Sequence, residues 1–190
     1  MKQTEVTCQV FDSIKTAKAK LKKQGFSLES KFVLNDKYFC AHSVDEAKKL
    51  SYAELMNCSI LLREIVEQTT QVELIYKNKK LDEFNNVVEE EKYLTKIDNQ
   101  QAAENMLLAA GMTCWCHIVQ ECYVFEHSKQ SFCLQNASGL GLFLEFEATE
   151  DMRNMKPKQK IEKLKTYVGK LGLKIGSDYS CKKPFMLLHK

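Results

Sequence analysis

Proline and glycine are scarce here, two and seven of 190 residues. So few chain-breaking residues exclude a collagen-like segment or a low-complexity tail, and with 44% apolar residues a compact fold is expected. An excess of one charge is also lacking, because 28 Lys and Arg against 25 Asp and Glu leave only +3. Binding through bulk charge, as to a nucleic acid, is not expected, and any anion site must be local. No apolar run exceeds the seven residues Met106 to Met112, whereas a bilayer span needs about 20. The N-terminus passes from Met1-Lys2-Gln3-Thr4-Glu5 directly into strand-like alternation, without the apolar core of a secretory signal, so a cytoplasmic location is expected. Eight cysteines fall below the roughly 8–10% share of a disulfide scaffold and are read as reduced structural thiols. At roughly 100–200 residues per domain, residues 1–190 are expected to form a single domain.

What is present is a unit written three times. Val6 to Phe11 alternates as a strand, Asp12-Ser13 offers an N-cap, and Ile14, Ala17 and Leu21 share a helical face. Gly25 allows the left-handed residue that ends a helix, and Lys31 to Phe39 is again extended. Tyr93 to Ile97, Asp98-Asn99, Ala102 to Ala110, Gly111 and Thr113 to Phe125 repeat this at the same interval. The third copy has Leu142 to Ala148, Pro157 at a helix start, Ile161, Leu164, Val168 and Leu171 on one face, Gly172, and a closing strand near Phe185. Between the first two copies, Ser43-Val44-Asp45-Glu46 is a capping box for a helix to about Met56, followed by strands Ser59 to Glu67 and Gln71 to Lys77. The pattern predicts an α+β fold with one curved antiparallel sheet, helices outside, and a binding surface on its inner face. An open sheet with helices on one face and no lumen is the alternative.

Strand side chains alternate, so Glu145 and Glu147 share one face and Leu142, Leu144 and Phe146 the other. Neighbouring carboxylates are costly unless solvated or bridged by a cation, and hard oxygen donors suit magnesium or manganese. By the same rule Glu73, Ile75 and Lys77 lie together, opposite Val72, Leu74 and Tyr76. Cys114, Cys116 and Cys122 also alternate onto one face. Residues two apart on a strand sit roughly 6.5–7 Å apart and no second Cys/His pair follows at finger spacing, so zinc is not expected. No nucleophile signature surrounds any cysteine, and Gly139-Leu140-Gly141 reads as a turn rather than a phosphate loop. Lys15, Lys18, Lys20, Lys22 and Lys23 read as the solvated face of a helix.

Five segments, in order, resemble the CYTH superfamily, which groups class IV adenylyl cyclases, thiamine triphosphatases and inorganic triphosphatases. They are Asn35-Asp36-Lys37-Tyr38-Phe39, Ile60-Leu61-Leu62-Arg63, Leu74-Ile75-Tyr76-Lys77, the stretch from Gly139 to Glu147, and the ending Lys183-Pro184-Phe185-Met186-Leu187-Leu188. The resemblance implies an eight-stranded antiparallel tunnel with helices packed outside. It also implies that Arg63 and Lys77 bind phosphate, and that Glu5, Glu145 and Glu147 hold Mg²⁺ or Mn²⁺. The ligand would be a phosphorylated small molecule such as a nucleoside triphosphate, thiamine triphosphate or polyphosphate, with no nucleic acid or membrane partner and a homodimer left open. Activity, where present, would be that of a metal-dependent adenylyl cyclase or triphosphatase.

The chain also departs from the family pattern. Glu5-Val6-Thr7-Cys8-Gln9 keeps only the first acid of Glu-x-Glu-x-Lys. His117, Val119 and Glu121 stand at alternating positions where the resemblance implies Arg and Lys, and Gln135 stands where it implies Asp. Gln9, Val119 and Glu121 are therefore expected in the lumen beside Arg63 and Lys77, with the catalytic set partly lost. A non-catalytic binding or interaction protein without triphosphate chemistry is the alternative function.

Overall fold

A computed structural model describes residues 4–81, 87–128 and 130–190. Residues 1–3, on which part of the N-terminal reading falls, lie outside the described residues. The strands are β1 (Glu5–Val10), β2 (Ser27–Cys40), β3 (Ile60–Val66), β4 (Thr70–Leu81), β5 (Val87–Ile97), β6 (Thr113–His127), β7 (Gln130–Ala137) and β8 (Gly141–Glu147). The helices are α1 (Ile14–Lys23), α2 (Val44–Ala47), α3 (Tyr52–Asn57), α4 (Gln100–Ala109), α5 (Pro157–Lys170) and α6 (Lys183–Leu188). All eight strands form one antiparallel sheet in the order β1-β8-β7-β6-β2-β3-β4-β5. The architecture is α+β, as the alternation predicts, and hydrogen bonds do not close the sheet. β1 and β5 are its two ends.

Local signals explain most boundaries. Ser13 caps α1 by accepting from the Thr16 amide at 3.2 Å, Asn99 caps α4 through Ala102, and Gly25 and Gly111 take positive φ after the two helices. Two expectations fail. The helix from Ser43 to Met56 is two short helices, because Ser51 and Glu54 build a second capping box that restarts the chain after α2. The closing strand near Phe185 is instead α6; the chain returns to β1 earlier, where the Thr7 amide donates to Tyr179 and the Cys181 amide to Thr7.

The outer face of β1, β8 and β7 carries Val6, Cys8, Leu144, Phe146 and Leu134, packed against Leu21 of α1 and Ile161, Leu164 and Val168 of α5. Each such side chain, fully buried, contributes about 1.5–3 kcal/mol. A smaller cluster sets Leu107 of α4 on Phe39 and Leu62. The third core plugs one end of the inner face, with Leu61, Ile75, Ile118 and Phe143 against Leu55 and Met56 of α3 and Leu188 of α6. There the Trp115 indole donates to Ser59 Oγ at 2.9 Å, and Ser59 donates to the Leu55 carbonyl. No helix among the described residues is long and apolar enough to cross a membrane.

Candidate functional site

Beyond that apolar plug the inner face turns polar, and every strand contributes to one cavity of about 190 Å³. Glu5 and Thr7 come from β1, Asp36 from β2, Arg63 from β3, Lys77 and Lys79 from β4, and Lys92 from β5. Gln120 of β6, Gln135 of β7, and Glu145 and Glu147 of β8 complete the wall, while Lys182 and Lys183 enter from the start of α6. The curled sheet is therefore a tunnel whose two end strands, β1 and β5, both face the same cavity.

The five residues expected as ligands all line it: Arg63, Lys77, Glu5, Glu145 and Glu147. The strand alternation that put the two β8 acids on one face is borne out, since Leu144 and Phe146 lie in the outer core. Glu5 sits directly across the β1–β8 pair from Glu147, and the carboxylates of Glu5, Glu145 and Glu147 offer oxygens within 4.8 Å of one another. Burial, with the charge of Glu145 beside it, pushes the Glu5 carboxyl up. Glu145 is half-buried, and its desolvation alone would raise it, but Lys183, Lys77 and Arg63 together hold it below the usual carboxylate range.

The opposite wall is cationic and partly paired already. Arg63 makes two hydrogen bonds to the fully buried Asp36, at 2.7 and 2.6 Å, and keeps its proton firmly against the opposing effect of burial. Lys77 and Lys79 share Glu90 at 3.3 and 3.1 Å. Burial and the neighbouring Lys79 pull Lys77 down, and the same pair of causes lowers Lys182. Lys183 donates to Gln135 Oε1 and, at 3.3 Å, to Glu145.

Three expectations about the lumen are corrected. Val119 and Glu121 are on the outer face of β6, because Asp36, which lines the cavity, pairs with Ile118; the inward residues are Cys116, Ile118, Gln120 and Cys122. His117 is outside with them, held by Asn35 at 2.6 Å. Gln9 shares a strand face with Glu5 and Thr7 but does not line the cavity, since its amide binds the Leu140 carbonyl at 3.4 Å. A bulge at Trp115 shifts the β2–β6 register, so Cys114 packs with Phe39 in the α4 cluster while Cys116 belongs to the inner plug. All eight cysteines are free thiols.

The family resemblance points to two cations, Arg63 and Lys77, whereas six line the cavity among the described residues. Lys79 was within reach of the alternation rule, two positions beyond Lys77. Lys92 is the cross-strand counterpart of Lys77 in the β4–β5 register. Nothing in spacing alone would bring Lys182 and Lys183 here, because they arrive from the chain's return past β1.

No protein-family model and no curated protein sequence matches this chain. Solved structures do match. PH1819 protein of Pyrococcus horikoshii superposes with a TM-score of 0.72 at 18% identity, over 98% of each chain. A protein classed as an adenylate cyclase from Vibrio parahaemolyticus gives 0.63 at 15% identity, again over 98% of each. HpAC1 from Hippeastrum, of adenylyl cyclase type and presented with a dominant triphosphatase activity, gives 0.60 at 15% identity over 100% of this chain and 95% of its own. This chain has the CYTH fold. At such identities the likeness is one of architecture, and what the CYTH tunnel does in this chain has to be argued from its own side chains.

Proposed function

We propose that the tunnel binds a phosphorylated small molecule, a triphosphate or nucleoside triphosphate, together with Mg²⁺ or Mn²⁺. The observation that carries this reading is the facing of three convergent carboxylates by a cationic wall across one small cavity. Oxygen ligands at roughly 2.1 Å around an octahedral ion lie about 3–4.2 Å apart, so donors already within 4.8 Å fit Mg²⁺ after small side-chain movements. A bound cation would also offset the burial, and the repulsion from Glu145, that raise Glu5. It would supply charge for polarising a phosphoryl oxygen. Lys77, Lys79, Lys92 and Lys182 would hold the remaining phosphate oxygens by charge-assisted hydrogen bonds, and the apolar plug would exclude water from one end.

Binding without turnover is the second reading, and one observation favours it. Arg63 spends its Nε and one terminal nitrogen on Asp36, so the charge of the one guanidinium in the cavity is already matched by a buried carboxylate and only its other terminal nitrogen is left for a ligand. Calorimetric titration with ATP, thiamine triphosphate and tripolyphosphate, each with and without Mg²⁺ or Mn²⁺, tests the binding, and phosphate release under the same conditions separates the two readings. Metal should tighten binding of at least one of the three. Failure of all three to bind would remove the proposal, and metal-independent binding would remove the role of the carboxylates.

A further inference from the structure

Gln120 stands on β6 in the middle of the tunnel wall, only 4% exposed. Its Nε2 faces Asp36 Oδ2 at 3.5 Å. That contact fixes which way the amide points, because turning it over would set two acceptors against each other. Gln120 Oε1 is then buried with no hydrogen-bond partner among the described residues. A buried carbonyl oxygen without a donor is costly and uncommon in folded proteins, so a donor brought by a ligand would relieve it. Neither Arg63, which donates to Asp36, nor Lys183, which donates to Gln135 and Glu145, reaches this oxygen.

We propose that Gln120 is a specificity-determining residue of this tunnel, accepting a hydrogen bond from a phosphate hydroxyl, so that the ligand binds with one P–O–H retained. A fully ionised phosphate offers acceptors only, and at this point of the wall it would meet two more, the Gln120 carbonyl oxygen and the Asp36 carboxylate. A phosphate that keeps one proton donates to Oε1 and leaves its charged oxygens for the lysines. The lower charge also suits a cavity in which Glu5, Asp36, Glu145 and Glu147 stand among the cations. This inference rests on the phosphate-binding reading above and says which form of phosphate it selects.

Hydrogen phosphate and monofluorophosphate test it, because at mildly alkaline pH both are dianions of nearly the same shape and differ by fluorine in place of the hydroxyl. Titrated into the full chain with Mg²⁺ and followed by phosphorus and fluorine NMR, hydrogen phosphate should bind roughly three- to tenfold more tightly, the effect of one net hydrogen bond. Gln120→Met, close in length and without the acceptor, should bring the two affinities together, with thermal unfolding confirming that the variant is folded. Equal affinities in the parent protein overturn the inference without any variant being needed, as does a preference that survives in folded Gln120→Met. If neither anion binds, this inference fails, and the phosphate-binding reading fails with it only where ATP, thiamine triphosphate and tripolyphosphate do not bind either; if both anions bind equally, only the role of Gln120 fails.

Discussion

Arg63 and Asp36 face each other across the β2–β3 pair, and the guanidinium grips both carboxylate oxygens where Asp36 has no exposure to solvent. Removing one partner of such a pair leaves an uncompensated buried charge. Asp36→Asn should therefore lower stability by about 3–5 kcal/mol in urea unfolding. Glu104→Gln, which breaks the more exposed Lys37–Glu104 contact on the outside of the sheet, should cost no more than about 1 kcal/mol. Similar losses for the two variants would mean that the Arg63–Asp36 pair is far better solvated than its burial indicates.

Glu5 gives the pH dependence a definite sign. Its folded-state pKa lies above the ordinary 4.5, first because it is buried and then because Glu145 is near. Its proton is thus held more tightly in the folded chain, so its contribution to stability is full below about 4.5 and is lost as pH rises through the elevated folded value. In metal-free buffer Glu5→Gln should melt higher than the parent at neutral pH, and the difference should close as the pH is brought below 4.5. Added Mg²⁺ should stabilise the parent and leave the variant less affected.

The metal ligands can be separated from the phosphate ligands by which dependence each variant removes. Glu145→Gln with Glu147→Gln should abolish the difference between tripolyphosphate titrations with and without Mn²⁺. Lys92→Gln should weaken binding in both conditions, roughly fivefold or more for one charge-assisted bond. A metal effect that persists in the double variant would place the cation elsewhere.

Glu121 supplies a control from the outer face. Its carboxylate accepts from the Tyr123 hydroxyl at 3.0 Å, away from the lumen. Glu121→Lys should change triphosphate affinity by less than about twofold, within the effect of a screened charge on the surface. A gain as large as that expected from a new cation inside the tunnel would put β6 in the opposite orientation.

The local features were readable because they are written locally. Caps at Ser13, Ser43 and Asn99, positive-φ glycines at Gly25 and Gly111, and the alternation in β8 each depend on a few neighbouring residues. The orientation of β6 is a different kind of fact. A one-residue shift exchanges the two faces of a strand, and the correct choice depends on pairing with β2 and on the bulge at Trp115, some eighty residues away from its partner in sequence. Spacing to a family pattern puts Val119 and Glu121 inward, while the register gives that place to Ile118 and Gln120. Asp36 was visible within a family-like segment, but its commitment to Arg63 required knowing that β2 and β3 are neighbours.

The sheet ends without joining itself, and that has a mechanical meaning. β1 and β5 contribute Glu5 and Lys92 to one bore, yet no ladder of main-chain bonds holds those strands to each other. Among the described residues, the free flank of β1 is met by the returning chain, from Lys174 and Gly176 to Tyr179 and Cys181. The bore is like a clasp whose two halves line one cavity. An anion bound to Lys77 and Lys92 on one half, and through a cation to Glu5 on the other, would be the pin. Amide hydrogen exchange should then slow at both end strands when the tunnel is filled, even though their own hydrogen-bonded neighbours, β8 and β4, are unchanged.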